Sequence, residues 1–192
     1  FVLAGTTESF GAGGSDFWLV KVDNEGDEIW SQTYGGRRDE VCNFAIQTAE
    51  GGFAMTGTTV SYGQGRTSGW LVVIDEDGEM IFRQYYGNQF MNVFYTVIQT
   101  DDGGFALVGN TDTLGDGRTQ FWMRVTDDEG EVIDGLLVFD GSVTVTRSII
   151  LTDDGYYAMA GEISYDGEDT DFWLTVIDLE DYSQWAQTYG GE

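Results

Sequence analysis

The sequence superimposes on itself when shifted by 52 residues, and that period constrains what the chain can fold into. Gly5, Gly57, Gly109 and Gly161 recur at this interval. So do Trp18, Trp70 and Trp122, with Trp173 one residue early. Phe1, Phe53, Phe105 and Tyr157 form a third column. Self-similarity at a fixed period of this order marks solenoids, propellers and arrays. The runs between columns are short and rich in Val, Ile, Phe, Trp, Tyr and Thr. They are bounded by Gly/Asp clusters, so they read as strands and turns and not as helices.

Each full repeat holds four such runs, termed a to d. In the second copy they are Val41–Thr48, Phe53–Thr59, Trp70–Asp75 and Met80–Tyr86. Four antiparallel strands per repeat of this size make one propeller blade. A lone four-stranded sheet with two apolar faces cannot bury both, whereas stacking it on a neighbouring copy does. The expected fold is therefore all-β: one propeller domain over residues 1–192, with blades at 1–36, 37–87, 88–141 and 142–192. The first blade lacks its innermost strand a, which gives 15 strands.

The pattern also carries a resemblance. GGFA-x-x-G-x-T, then DFWLVKVD-x-x-G at residues 16–26, then W-x-x-TYGG at 30–36 is similar to the SBBP-type β-propeller repeat of secreted bacterial and archaeal proteins. The resemblance covers essentially the whole chain. It implies a propeller in an extracellular or cell-surface setting and says little about activity. The third copy departs from it at strand d, where Leu136-Leu137-Val138-Phe139-Asp140-Gly141 replaces the W-x-x-TYGG form and weakens the expected outer packing there.

Charge narrows the environment and the partners. The chain has 34 acidic and 8 basic residues, no His, no Pro, and a net charge of −26. Lys21 is its sole lysine. Self-repulsion on this scale destabilises a compact state at low salt, and halophiles use the same lever, so a halophilic source is expected. Nucleic acid is not an expected partner, because binding it needs basic patches that neutralise phosphate. No apolar run is long enough for a membrane helix. At 41% hydrophobic and 15% aromatic residues, the composition is that of a folded chain. The single Cys42 excludes an intrachain disulfide and reads as a buried structural thiol.

Propeller geometry sorts side chains by face. The a–b and c–d turns gather most of the acids on one face. The b–c loops and d–a connections bring Arg37, Arg38, Arg66 and Arg118 to the other, mixed with Asp39, Glu40, Asp116 and Asp169. The loop face is where a protein or glycan partner is expected. No resident cofactor is expected, although Ca²⁺ or other cations would associate weakly with the acidic turns. Asp75, Asp77, Asp101 and Asp102 are the weak candidates for a metal, but Asp and Gly are also what tight hairpins require. Asp16, before the Phe-Trp pair, reads as an acceptor that closes its loop. Without His, the common nucleophile–base systems have no base, so no catalytic residue is assigned. A carboxylate-pair glycosidase remains the alternative reading.

One column changes type between copies. Asn43, Tyr95 and Arg147 lie 52 apart on strand a, the innermost strand. With Arg38 they are the expected ligand-binding residues. Nothing at the end of the chain resembles strand a, so a stretch of a longer propeller is the favoured expectation over a notched four-blade ring or two joined chains. An open blade edge is also a template for self-association. The reading is thus a non-catalytic propeller scaffold for binding. Assembly through the incomplete blade is its second alternative.

Overall fold

The computed structural model describes residues 1–64, 66–112, 120–138, 143–165, 169–180 and 184–190. They form fifteen strands in four antiparallel sheets, paired in chain order. The first sheet is β1 (Val2–Thr7), β2 (Asp16–Val22) and β3 (Glu28–Tyr34). The second is β4 (Glu40–Gln47), β5 (Phe53–Thr59), β6 (Ser68–Ile74) and β7 (Met80–Tyr86). The third is β8 (Asn92–Gln99), β9 (Phe105–Thr111), β10 (Gln120–Thr126) and β11 (Val132–Val138). The fourth is β12 (Val143–Leu151), β13 (Tyr157–Ser164), β14 (Asp171–Ile177) and β15 (Gln184–Tyr189). This is the expected β-propeller architecture, with strand ends within two residues of those read from the second repeat. Among the described residues, no helix is long and apolar enough to cross a membrane.

Alternation along each strand gives every sheet two apolar faces, and neighbouring sheets bury their facing sides against each other at three junctions. Phe17, Leu19 and Tyr34 of the first sheet pack on Phe53, Met55, Trp70, Val72 and Ile74 of the second. Ala54, Leu71, Val73 and Tyr86 meet Phe94, Leu107 and Trp122 across the next junction. Phe121, Met123 and Val125 meet Met159, Trp173 and Ile177 across the third. The tryptophan column supplies the ring contacts. Trp70 lies edge-on to Phe17 at 4.6 Å, Trp122 stacks on Phe94 at 4.4 Å, and Trp173 sits 5.7 Å from Phe121. Trp18, on the outward face of the first sheet, is half-buried. The outward faces of the first and fourth sheets are open, with Leu3 57% and Phe172 74% exposed.

The tyrosine of TYGG ties each junction at its rim. The Tyr34 hydroxyl donates to Gly78 O at 2.7 Å, and the Tyr86 hydroxyl donates to Gly130 O at 2.8 Å. Each acceptor is the glycine of the next sheet's c–d turn. At the third junction both halves are gone together. Val138 stands in the tyrosine column, and the turn after β14 reads Asp178-Leu179-Glu180 without a glycine. Leu179 packs on the apolar cluster there instead.

The glycine column is explained by strand a. Gly57, Gly109 and Gly161 pair with Trp70, Trp122 and Trp173 on one side. On the other, the carbonyl oxygens of Val41, Val93 and Val145 occupy the place a Cβ would take. Any side chain at these positions would push strand a off the sheet.

Candidate functional site

The innermost strands β4, β8 and β12 share an irregularity that alternation cannot reveal. Each carries one residue more than its partner. Pairing runs Cys42↔Gly57 then Phe44↔Thr56, Phe94↔Gly109 then Thr96↔Val108, and Thr146↔Gly161 then Ser148↔Ala160. The extra residues are Asn43, Tyr95 and Arg147, the column that changes type between copies. A bulge residue is freed from the ladder and its side chain is re-aimed. β4, β8 and β12 pack side by side, so the three bulges make one row.

The row is linked internally. The Asn43 side-chain amide donates to Phe94 O at 2.7 Å, fixing β4 to β8. Tyr95 is half-buried, and burial raises its phenol above the ordinary tyrosine range although the nearby Arg147 charge pulls the other way. Arg147 pairs with Glu162 at 3.3 Å, with both groups exposed. Such a pair is weak and exchangeable.

Arg38 does not join this row. It lies on the β3–β4 connection and lines a separate cleft of about 620 Å³ with Arg37, Gly36, Ser61, Tyr62 and Gln64. The cleft walls are held by polar contacts. Arg38 N donates to Ser61 Oγ at 2.9 Å, and Arg38 O accepts from Gly14 N at 3.1 Å. The Tyr62 hydroxyl donates to Gly35 O at 2.9 Å and accepts from Arg83 Nη1 at 2.9 Å. The Arg83 guanidinium also lies 4.2 Å over the Tyr62 ring. That ring is 5.6 Å from Trp70, so the aromatic wall rests on the core.

The two acids nearest in sequence do not neutralise these arginines. Asp39 Oδ1 accepts from Ser15 N at 3.1 Å. Glu40 corrects the expectation of a face-mounted charge, because it is fully buried. Its carboxylate accepts from Thr59 Oγ1 at 2.7 Å, Ser61 N at 3.1 Å and Gly36 N at 2.6 Å, which replaces its water shell. Among the described residues, Arg147–Glu162 is the one ion pair, and Arg37 and Arg38 are exposed. Asp116, Arg118 and the acid-rich stretch 166–168 lie outside the described residues.

The acidic turns use their carboxylates internally. Asp75 Oδ1 accepts from Asp77 N at 3.0 Å and Glu79 N at 2.9 Å. Gly78 completes the turn at φ +88°. Asp23 and Asp127 repeat the arrangement. Asp102 Oδ1 accepts from Thr100 Oγ1 at 2.5 Å and Gly104 N at 3.4 Å. The threonine hydroxyl holds the Asp102 carboxyl below its ordinary value. Among the described residues, no three His, Cys, Asp or Glu side chains converge as metal ligands, so Asp75, Asp77, Asp101 and Asp102 are not brought together. The acidic face does receive one cation. Lys21 Nζ donates to Glu76 O at 2.9 Å.

Asp16 closes its loop as expected, with Oδ2 accepting from Ala12 N at 3.0 Å and Gly13 N at 3.3 Å. Its Oδ1 is buried without a donor, against Gly35. Cys42 is half-buried at the edge of the first junction and not fully buried as expected, and desolvation pushes its thiol up to about 12, which leaves it protonated at neutral pH.

No family model and no curated protein matches the sequence. Solved structures do resemble it. One is a mannose phosphorylase from Leishmania mexicana in complex with phosphate ion, with TM-score 0.51 and 13% identity over 91% of this chain. This chain spans 58% of that protein's length, and the likeness shows the fold. Another is a protein of unknown function from Bacteroides caccae, with TM-score 0.47 and 12% identity over 94% of this chain and 70% of that one.

Proposed function

We propose that this chain is a non-catalytic binding scaffold, an extracellular or cell-surface propeller adapted to concentrated salt. It takes a protein or glycan partner on the side of its b–c loops and d–a connections. The observation that supports this best is the Arg37–Tyr62 cleft. In a chain of net charge −26, two guanidinium groups line one cleft beside a fixed aromatic wall, and the adjacent carboxylates are engaged elsewhere. Forked guanidinium donors match carboxylates, and the Tyr62 ring, covered by Arg83 and backed by Trp70, keeps the wall beside them rigid. The partner chemistry is therefore an acidic glycan. The row of Asn43, Tyr95 and Arg147 forms a second polar surface on the innermost strands. The SBBP-like repeat pattern supports the extracellular setting.

Calorimetric titration with a uronic-acid oligomer, and with a neutral oligomer of equal length, tests this reading. Saturable binding of the acidic oligomer is expected, weakened at least about tenfold in an Arg37→Gln/Arg38→Gln double variant, the equivalent of one lost charged contact. Equal binding of the two oligomers, or an unaffected double variant, would refute it. The carboxylate-pair enzyme alternative makes a different prediction, turnover of a polysaccharide that one Asp or Glu substitution abolishes.

A further inference from the structure

β1 pairs with β2 on one edge, and its other edge faces a groove of about 550 Å³ lined by Phe1, Val2, Ala4, Phe44, Ile46 and Gln47. Three independent features of this groove match the seat of an innermost strand. The first is Gly5. Its counterparts Gly57, Gly109 and Gly161 are each covered by a strand-a carbonyl, whereas nothing lies within 4 Å of a Cβ placed on Gly5. The glycine permits close backbone approach on that side, yet here no described carbonyl covers it.

The second is Gln47. In the same column, Gln99 Oε1 accepts from Ala49 N at 2.8 Å, in the turn that follows the preceding sheet's innermost strand. The Gln99 amide also reaches Glu50 Oε2 at 3.1 Å. Among the described residues, Gln47 makes only a long contact to Gly51 O, at 3.5 Å, and its Oε1 meets no donor. The third is the apolar wall. Phe44 is 42% exposed, whereas Thr96 and Val97, on the next innermost strand, are buried.

We propose that the free edge of β1 and its groove accept an extended peptide strand of the repeat's own innermost type. The shared pattern of β4 and β8 with their turns is Val-x-x-x-Ala/Val-Ile-Gln-Thr-x-Glu/Asp-Gly-Gly. Strand addition of this kind draws affinity from main-chain hydrogen bonds and specificity from pockets for alternate side chains. The register follows from β8 on β9. Shifted by two repeats, the strand's Val faces Thr6, its Phe meets Gly5 and its Ile faces Val2. The residue two after its Gln donates an N–H to Gln47 Oε1. This strand site is separate from the loop-face cleft and is tested without it.

The probe is a synthetic peptide of residues 92–104, added to the 192-residue chain in molar salt. Saturable binding is expected, together with slowed amide exchange at Val2–Thr6 and a raised Tm. The Gly5→Val chain is expected to fold, because space is open there, and to bind at least about tenfold more weakly, because the peptide carbonyl loses its seat. Gln47→Ala, a surface change, is the second probe and also weakens binding. No protection of β1 up to the peptide's solubility limit would overturn the proposal. So would equal binding of a permuted peptide, or undiminished binding by both variants.

Discussion

Tyr86→Phe isolates what the TYGG tyrosine contributes to a junction. The ring sits 5.6 Å from Phe94, and the substitution keeps it. What is lost is one hydroxyl, donating at 2.8 Å to Gly130 O, in a place where both residues are buried. A neutral hydrogen bond contributes about 1 kcal/mol net, and stranding a buried acceptor raises the cost to about 1–3 kcal/mol. We take about 2 kcal/mol, which in a chain of this size lowers Tm by roughly 4–8 °C. Tyr85→Phe, on the exposed neighbour, should change stability by less than about 0.5 kcal/mol. The same phenol gives an alkaline signature. Burial, then the charges of Glu131 and Asp127, raise Tyr86 above the ordinary tyrosine value. Burial, then Glu79 and Asp75, do so for Tyr34. The unfolded chain releases these protons near pH 10 and the folded chain holds them. Stability from these groups is therefore intact below about pH 10 and lost as pH rises toward the folded values. Urea melts from pH 8 to 11.5 should show a falling midpoint that is shallower in Tyr86→Phe. If Tyr86→Phe and Tyr85→Phe melt alike at pH 8, the rim bond contributes nothing and the reasoning fails.

Three further outcomes follow from other features. Thermal melts should fall as KCl is lowered from molar to about 0.1 M, because the screening length grows from about 3 to about 10 Å around a charge of −26; a flat response would refute adaptation to salt. Gly57→Ala should cost about 1–3 kcal/mol in urea melts by forcing Val41 O out of its place, while Gly5→Ala should cost nothing; equal losses would refute the account of the glycine column. Cys42 should react with a thiol reagent at pH 8 only as the chain unfolds, and reaction at the rate of a free thiol would show that burial does not hold it protonated.

The fold was legible because the repeat states it several times over. A glycine, a tryptophan and an aromatic recur at fixed offsets, and each has one geometric job. The tryptophan fills the junction, and the glycine opposite it admits strand a. The third junction shows the logic from the other side. There Val138 and the glycine-free turn after β14 lose the donor and the acceptor of one hydrogen bond together, and Leu179 fills in with apolar contact.

The site was legible only as disagreement between copies. Asn43, Tyr95 and Arg147 stood out because their types differ, but alternation counts residues as if every one were paired. The bulge breaks that count, and nothing in the composition of strand a announces it. Glu40 was misplaced for a related reason. A glutamate opening a strand reads as surface charge unless three donors from Thr59, Ser61 and Gly36 are known to converge on it. Those donors come from two segments, the end of β5 with its loop and the β3–β4 connection, so only tertiary structure assembles them. The same burial withdraws one neighbouring counter-charge from Arg37 and Arg38. An acid that looked like their partner is in fact the fold's own strut, and this leaves two cations of a strongly acidic chain facing the cleft. The cleft's chemistry is thus a consequence of how β4 begins, where Glu40 accepts from the second glycine of the TYGG turn and stands three residues before the bulge that aims Asn43.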